Sequence, residues 1–531
     1  MSSRQRIVAA TLVMSVATSI SRVSGLIRDM VVARFFGAGM TTDAFFMAFT
    51  IPNLLRRFFA EGSLTAAFVP VFSEVFHRRG EDEAQQLANR CATLLLLVMF
   101  VVVALGLLCS PWIVQAIGYG FGQTEGKLEL THQLNLIMFP YIALVSLLAL
   151  LTGILNVRGH FFLPSLSPLL LNLAMIFGAL SLGQLFQRPI FGLAAGVLLG
   201  GLLQLMLQFP ALLRYRIRLR PDFRFFRDEQ LKNIALLMLP GIAGVAIYQI
   251  NVVVSRLLAS FLPDGSVSYL YYGQRLFEFP QGIFVVSLAQ AVLPMMSRQI
   301  ADGDQQGMQQ SLNFSLNLIA LLTLPAMVGL MLCAKPIFSL FFLGGAFSLS
   351  DVDNSALALI CFAPGLLFVG YSRIAAQTFY ALKDTRTPVV VSFWTLLANL
   401  GAGLVLMQWL GFIGLALALT IASLFNAGAL LTLLQRKLNL ALNWRLLTQS
   451  VRIMIACLPM AILVYLLLGL VDWNQSGFSV EKTLVLGAAV GSGMVIFVAS
   501  CLLLKIAEIH QLLRLIKDKF SRRRQSTEPS Q

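Results

Sequence analysis

Residues 91–108 read CATLLLLVMFVVVALGLL, a run without a single charged side chain. A helix needs about 20 mostly apolar residues to cross the hydrocarbon core of a bilayer. Working outward from this run, the sequence offers about fourteen such segments, separated by short polar or Gly/Pro-containing breaks. The chain of 531 residues is 58% hydrophobic and 12% charged, which fits no soluble class. The sequence predicts an all-α polytopic membrane protein with about fourteen transmembrane helices.

The predicted spans are numbered 1 to 14 in chain order. Their approximate cores are residues 7–33, 41–72, 88–118, 131–156, 163–186, 190–213, 229–258, 268–297, 308–333, 352–380, 388–409, 411–435, 447–471 and 481–506.

Basic residues fall mainly in alternate connections between the spans. They are Arg78, Arg79, Arg90, Arg158, the run from Arg214 to Lys232, Arg298, Lys383, Arg386, Arg436, Lys437, Arg445 and Arg452. The opposite loops carry little beyond Lys127, Arg188, Lys335 and Lys482. Cytoplasmic loops of membrane proteins are enriched in Lys and Arg, so we expect both termini to be cytoplasmic.

The formal net charge of +15 follows from the same distribution. Because topology accounts for most of the basic residues, we expect no nucleic-acid partner. The six cysteines, Cys91, Cys109, Cys333, Cys361, Cys457 and Cys501, lie singly in apolar stretches. They are interpreted as core residues and not as disulfides or metal ligands.

An internal repeat divides the chain into two halves. Ala33, Gly39, Phe45 and Phe46 recur 226 residues later as Ala259, Gly265, Tyr271 and Tyr272. Repeated halves are typical of transporters. We therefore predict an N-terminal lobe (1–213, spans 1–6), a basic cytoplasmic linker (214–228), a C-terminal lobe (229–436, spans 7–12), two extra helices (437–506) and a basic cytoplasmic tail (507–531).

Charged residues also lie inside the predicted spans, where insertion costs about 2.5 to 3.5 kcal/mol each. They include Arg22, Arg28, Asp29 and Arg34 in span 1, Asp43, Arg56, Arg57 and Glu61 in span 2, Arg256 in span 7, Arg275 and Glu278 in span 8, and Arg373 in span 10. Spans 1, 2, 7 and 8 correspond under the repeat, so these charges are expected to converge between the lobes. Because arginine grips phosphate with two parallel hydrogen bonds, several arginines around one cavity suit a diphosphate.

Two interpretations remain open for some of these arginines. Arg22, Arg34 and Arg57 could instead reach the membrane interface or form structural pairs. Arg28, Arg56 and Arg275 are the preferred ligands of an anionic substrate. Asp29 and Glu278 are expected to orient neighbouring arginines.

Enzymatic chemistry finds little support in the sequence. The four histidines are dispersed, and the sequence contains no H-E-x-x-H, G-x-S-x-G or Walker motif. We expect no catalytic residue, no cofactor and no metal site.

Five motifs carry a resemblance to a known family. They are SRVSGLIRD (21–29), FGAGMTTDAFFMAFTIPNLLRRFFAEG (36–62), AFVPVFSE (67–74), GSVSYLYYGQRLFEFPQGI (265–283) and FYALKDTRTP (379–388). They resemble the MurJ (MviN) family of lipid II flippases, and the match covers essentially the whole chain.

The resemblance implies the fold of the multidrug/oligosaccharidyl-lipid/polysaccharide exporters, with two lobes around a cationic cavity and two extra helices that form a groove for a lipid tail. It implies a bacterial inner-membrane flippase of lipid II, the undecaprenyl-diphosphate-linked peptidoglycan precursor. Matched motif by motif, the substrate-binding residues are Arg22, Arg28, Asp29, Asp43, Arg56 and Arg275.

The alternatives are a flippase for another polyprenyl-diphosphate oligosaccharide and a membrane enzyme that acts on the same lipid. Expected partners are lipid II and membrane lipids, and a monomer is plausible.

Overall fold

The computed structural model describes residues 3–57, 63–438, 444–475 and 479–511. Glu61 and most of the predicted basic tail lie outside these ranges. The described chain is helical, joined by short turns. The helices are α1 (Ser3–Phe36), α2 (Met40–Arg56), α3 (Ser63–Arg79), α4 (Glu81–Leu108), α5 (Ser110–Ile117), α6 (Lys127–Met138), α7 (Tyr141–Val157), α8 (Phe162–Leu180), α9 (Ile190–Arg214), α10 (Glu229–Ser260), α11 (Ser266–Pro280), α12 (Ser287–Ala301), α13 (Gln305–Phe341), α14 (Leu349–Phe362), α15 (Gly365–Ala381), α16 (Arg386–Leu410), α17 (Phe412–Leu438), α18 (Trp444–Leu468) and α19 (Val480–Leu503).

Eleven helical segments in the described ranges are long and apolar enough to cross a membrane. They coincide with predicted spans 3–6 and 8–14, so the prediction of an all-α polytopic membrane protein is confirmed. The other three predicted spans fall on α1, on α2 with α3, and on α10. Since α1 has 34 residues and α10 has 32, each is also long enough to cross.

Several spans are built from two consecutive helices. Pro140 precedes α7 and Pro364 precedes α15, and in both places the preceding helix ends just before the proline. Proline has no N–H to donate, so it is tolerated at the start of a helix and interrupts a continuous one. Between α11 and α12 the residues Gln281–Val286 form a π-helical turn directly after Pro280.

Contacts divide the chain into two compact units. The first comprises Met1–Ser268 and Gly345–Phe347, and the second comprises Tyr269–Gly344 and Ser348–Gln531. In the first unit α1 packs on α8, α8 on α9, and α10 on α3. The end of α10 is also fixed by the Gly120 amide, which donates to Ser260 Oγ at 3.0 Å.

Glycines bring α8 and α9 into backbone contact. A Cβ at Gly192 would lie 2.6 Å from the carbonyl oxygen of Gly178, and one at Gly196 would lie 2.7 Å from the carbonyl oxygen of Ala174. Small residues four apart allow such close packing of membrane helices, where lipid gives no hydrophobic drive for association. The pairing therefore depends on the absence of side chains at these positions.

The second unit is built around α13, which packs on α14, α15 and α18. The last two helices are fastened to it at two places. Glu508, just beyond α19, accepts from Asn317 Nδ2 of α13 at 2.8 Å and from Gln449 Nε2 of α18 at 2.6 Å. Ser339 Oγ of α13 donates to the carbonyl oxygen of Trp473 at 2.5 Å. The two extra helices thus belong to the second unit.

We predict that Gly196→Ala destabilises the protein, because the added methyl group must push α8 away from α9. Overpacking of this kind costs about 1–3 kcal/mol. The matched control is Gly487→Ala in α19, where a Cβ would meet nothing within 4 Å. Thermal unfolding in detergent should show a lower midpoint for the first variant and no loss for the second. Equal midpoints for both would contradict the packing argument.

Candidate functional site

Arg28 and Asp29 form a buried ion pair on α1. Their side chains are 7% and 2% exposed, and the Arg28 Nη2 to Asp29 Oδ1 distance is 2.6 Å. Arg28 Nε donates to the same oxygen at 3.0 Å. Since a buried charge is costly unless paired, Asp29 makes a cation tolerable at this depth. The expected orientation of Arg28 by Asp29 is present in the structure.

Asn172 of α8 extends this pair into a network. Its Oδ1 accepts from Arg28 Nη1 at 3.1 Å, and its Nδ2 donates to Ser24 Oγ at 2.9 Å and to the Ser21 carbonyl at 3.2 Å. The guanidinium is thus fixed from both α1 and α8. Sequence reasoning missed Asn172, because a single asparagine in an apolar run carries no signal of its partner.

Asp43 is fully buried in the first turn of α2. Its Oδ1 accepts from the amide of Ser268 at 2.9 Å and from the Ser268 hydroxyl at 2.7 Å. Its Oδ2 accepts from the amide of Gly265 at 2.8 Å. The carboxylate therefore fixes the start of α2 to the turn that precedes α11.

Lys127 completes this second cluster at the start of α6. It is 1% exposed, and its Nζ lies 2.9 Å from Asp43 Oδ2 and 2.7 Å from Asp264 Oδ1. The Nζ also lies 4.0 Å from the centre of the Phe121 ring, within range of a cation–π interaction. The sequence alone indicates only that Lys127 is a loop charge. Its partner Asp264 lies 137 residues away, so sequence spacing could not reveal the pair.

Arg56 is the last residue of α2 and Arg57 follows it, and both are half-buried. Arg56 Nε donates to Asn53 Oδ1, one turn earlier in α2, at 3.0 Å. This contact lies within one helix and is only partly buried, whereas the contacts of Arg28 are buried.

Arg275 belongs to the second unit and is more accessible than Arg28. Its Nη1 lies 3.7 Å from Glu278 Oε2, and the two side chains are 38% and 37% exposed. Gln274 Nε2 donates to the other oxygen of Glu278 at 3.2 Å. Glu278 therefore holds Arg275 loosely, and more than a third of the arginine side chain is exposed.

The remaining intramembrane arginines differ in exposure. Arg22 and Arg373 are exposed, whereas Arg34 and Arg256 are half-buried. Arg256 Nη1 donates to the carbonyl oxygen of Val267 at 3.4 Å, and the carbonyl oxygen of Arg34 accepts from the amide of Ala346 at 2.8 Å. Arg28 with Asp29, and Asp43 with Lys127, have separate partners within the first unit, so these predicted site residues lie in two clusters.

Within the described ranges, no group of three or more His, Cys, Asp or Glu side chains is placed to hold a metal ion.

The long apolar helices, with charges paired inside them, define an all-helical polytopic membrane protein. Solved structures of similar fold include an inward-facing multidrug resistance MATE family transporter of the MOP superfamily, with a TM-score of 0.66 and 14% identity over 80% of this chain and 98% of that chain. The protein therefore has the fold of this transporter superfamily.

The family follows from three further comparisons. The model of the family "Lipid II flippase MurJ" matches residues 32–485. A probable lipid II flippase MurJ of Vibrio cholerae is 35% identical over 94% of this chain and 97% of its own length. A solved lipid II flippase MurJ in an inward closed conformation has a TM-score of 0.77 and 27% identity, covering 94% of this chain and all of that one. The chain belongs to the MurJ family of lipid II flippases, which confirms the resemblance read from the motifs.

We predict that Lys127→Met strongly destabilises the first unit, because it leaves the Asp43 carboxylate buried without its cation. Breaking a buried pair in this way costs about 3–5 kcal/mol. Lys335→Met is the matched control, since its 2.9 Å pair with Asp353 is 40% and 51% exposed. An exposed pair contributes at most about 1 kcal/mol.

The measurement is the free energy of unfolding in mixed micelles. A second change, Asp43→Asn, should recover part of the loss in the Lys127→Met background by removing the uncompensated charge. Equal losses for Lys127→Met and Lys335→Met would show that burial adds nothing to the first pair.

Proposed function

We propose that this protein flips lipid II across the bacterial inner membrane, as a transporter and not as an enzyme. The observation that carries the proposal is family membership over residues 32–485, joined to relatives named lipid II flippases across nearly their whole length. The multi-pass helical fold supports a membrane-embedded transporter. Intramembrane arginines supply the charge that a lipid diphosphate requires.

The proposed substrate site consists of the six predicted residues, and their exposure suggests a division of roles. Arg22, Arg56 and Arg275 are accessible enough to contact the diphosphate. Arg28 and Asp29 form a fixed buried pair, and Asp43 holds the start of α2 through its hydrogen bonds. The last three act mainly by positioning.

The proposed mechanism is alternating access. In this scheme the cavity takes the headgroup while the polyprenyl tail stays in lipid, and phosphate charge lowers the electrostatic cost of closing the lobes around the arginines. After release, the empty cationic cavity returns to the inner side. A membrane potential negative inside favours that return, since one charge crossing it is worth about 2.3 kcal/mol per 100 mV.

The lobes of this scheme are the repeat-based segments, 1–213 and 229–436, joined by the basic linker 214–228. The extra helices, 437–506, would hold the lipid tail, and the tail segment 507–531 would contact anionic headgroups. We also propose that both termini are cytoplasmic and that the protein works as a monomer. The distribution of Lys and Arg supports the orientation.

The test uses purified protein in liposomes that contain lipid II, with the rate of lipid II transfer between leaflets as the readout. Arg275→Ala and Arg56→Ala should each slow transfer by about 10- to 10²-fold, the equivalent of one lost charge-assisted hydrogen bond. The matched control is Arg298→Ala, an exposed arginine at the end of α12. It should transfer lipid II at the unaltered rate.

The unaltered protein could transfer a different polyprenyl-diphosphate oligosaccharide and no lipid II. That result would contradict lipid II as the cargo and support the alternative substrate. Full activity of both arginine variants would contradict the proposed substrate site but would leave lipid II as the cargo.

A further inference from the structure

The segment that joins α9 to α10 is held in place along one face of α4, within the first unit. Gln85 exchanges two hydrogen bonds with the backbone of Arg218: its Nε2 donates to the carbonyl oxygen at 2.8 Å, and its Oε1 accepts from the amide at 3.3 Å. One turn later, Asn89 Oδ1 accepts from the amide of Arg220 at 3.1 Å. The helix binds the backbone and leaves the arginine side chains free to point away.

The acidic residues of the segment also form ion pairs with α4. Arg90 Nε donates to Asp222 at 3.1 Å, and Arg90 Nη1 donates to Asp228 at 2.8 Å. The amide of Asp222 donates to Thr93 Oγ1 at 2.9 Å. The amide of Arg224, together with Arg90, holds the pKa of the Asp222 carboxyl below its usual range. Both acidic residues of the segment are therefore paired with Arg90 of α4. The exposed arginines of the segment give its surface a net positive charge.

We call residues 213–224 the basic strip. Its five exposed arginines are Arg214, Arg216, Arg218, Arg220 and Arg224. Apolar side chains are exposed between them: Leu213 is 73% exposed and Phe223 is 64% exposed. The strip connects the ends of two predicted spans, so it lies at a face of the membrane. Guanidinium groups interleaved with exposed apolar side chains match the boundary between phosphate headgroups and acyl chains.

The backbone at Arg216 points to a role for its side chain. Arg216 follows α9 with φ of +54°, a left-handed conformation that helix ends usually give to glycine. Gly159 after α7 and Gly303 near the end of α12 follow that rule, with φ of +79° and +73°. In the second unit, Lys383 after α15 and Lys505 after α19 have φ of +59° and +52°. The non-glycine residues with positive φ in the described ranges are thus all basic, and each follows the C-terminal end of a long helix.

A cation at this position gains from the negative end of the helix dipole. That gain is also available to a lysine or arginine one turn earlier, where no backbone strain arises. Keeping the cation just beyond the helix end places its charge outward, at the membrane face.

We propose that the basic strip is a docking surface for the anionic phospholipid headgroups of the leaflet it faces. The charge of the strip, its exposed apolar side chains and its position between two spans favour a lipid surface over a soluble acidic partner. The proposal does not depend on the transported cargo.

The experiment measures binding of fluorescent phosphatidylglycerol to the full-length protein in neutral detergent, with fluorescent phosphatidylcholine as the reference lipid. The triple variant Arg216→Gln, Arg218→Gln and Arg220→Gln should bind phosphatidylglycerol on the order of 10²-fold more weakly, and added salt should weaken binding by the unaltered protein. Binding of phosphatidylcholine should not change.

The control variant removes three exposed arginines that lie on separate elements: Arg298→Gln, Arg386→Gln and Arg436→Gln. Its net charge equals that of the strip variant, so an equal loss of affinity would show that dispersed charge, and not the strip, binds the lipid. Unchanged affinity in the strip variant would also overturn the proposal.

Arg216→Gly separates lipid binding from folding. Glycine relieves the left-handed backbone, so this variant should unfold at the same temperature as the unaltered protein or a higher one, yet bind phosphatidylglycerol about fivefold more weakly. Unaltered binding by Arg216→Gly would contradict the role given to its side chain.

Inorganic phosphate at the same concentration as the lipid should compete poorly, and full competition would redefine the strip as a general anion site. Capture of an acidic protein with phosphatidylglycerol affinity unchanged would assign the surface to a protein partner instead.

Discussion

A charge inside an apolar helix must be paired or exposed to water, and this constraint organises the structure. Arg28 is held by Asp29, and Lys127 is held between Asp43 and Asp264. Each cluster joins elements that are distant in sequence, because one residue rarely supplies every hydrogen bond that a buried charge needs. The charges that make the chain costly to insert therefore also fasten its helices together.

The same constraint divides the intramembrane charges into enclosed ones and accessible ones. Arg28 and Asp43 are enclosed by partners, and a ligand could reach them only by displacing those partners. The Arg275 guanidinium lies 3.7 Å from the Glu278 carboxylate, and the Arg275 side chain remains more than a third exposed. A transporter of a diphosphate needs both kinds: fixed charges that keep helices in register and accessible charges that bind and release the cargo.

Sequence reasoning was strongest where a single local property decides the structure. Apolar length located the spans, and adjacency in the chain suggested the pairing of Arg28 with Asp29. The breaks at Pro140 and Pro364 were missed because the apolar run continues through both positions. The role of Lys127 was missed for a different reason, since its partners Asp43 and Asp264 are brought to it only by the tertiary fold. Motif resemblance supplied the family, which periodicity and charge could not have given.

The central claim, that this protein carries lipid II across the inner membrane, is tested most directly in the bacterium that makes it. The measurement is the fraction of lipid II in the outer leaflet after the protein is depleted, in a strain with no second lipid II flippase. We expect lipid II to accumulate in the inner leaflet as the protein disappears and to return to the outer leaflet when the protein is restored. Normal appearance of lipid II in the outer leaflet without the protein would contradict the claim.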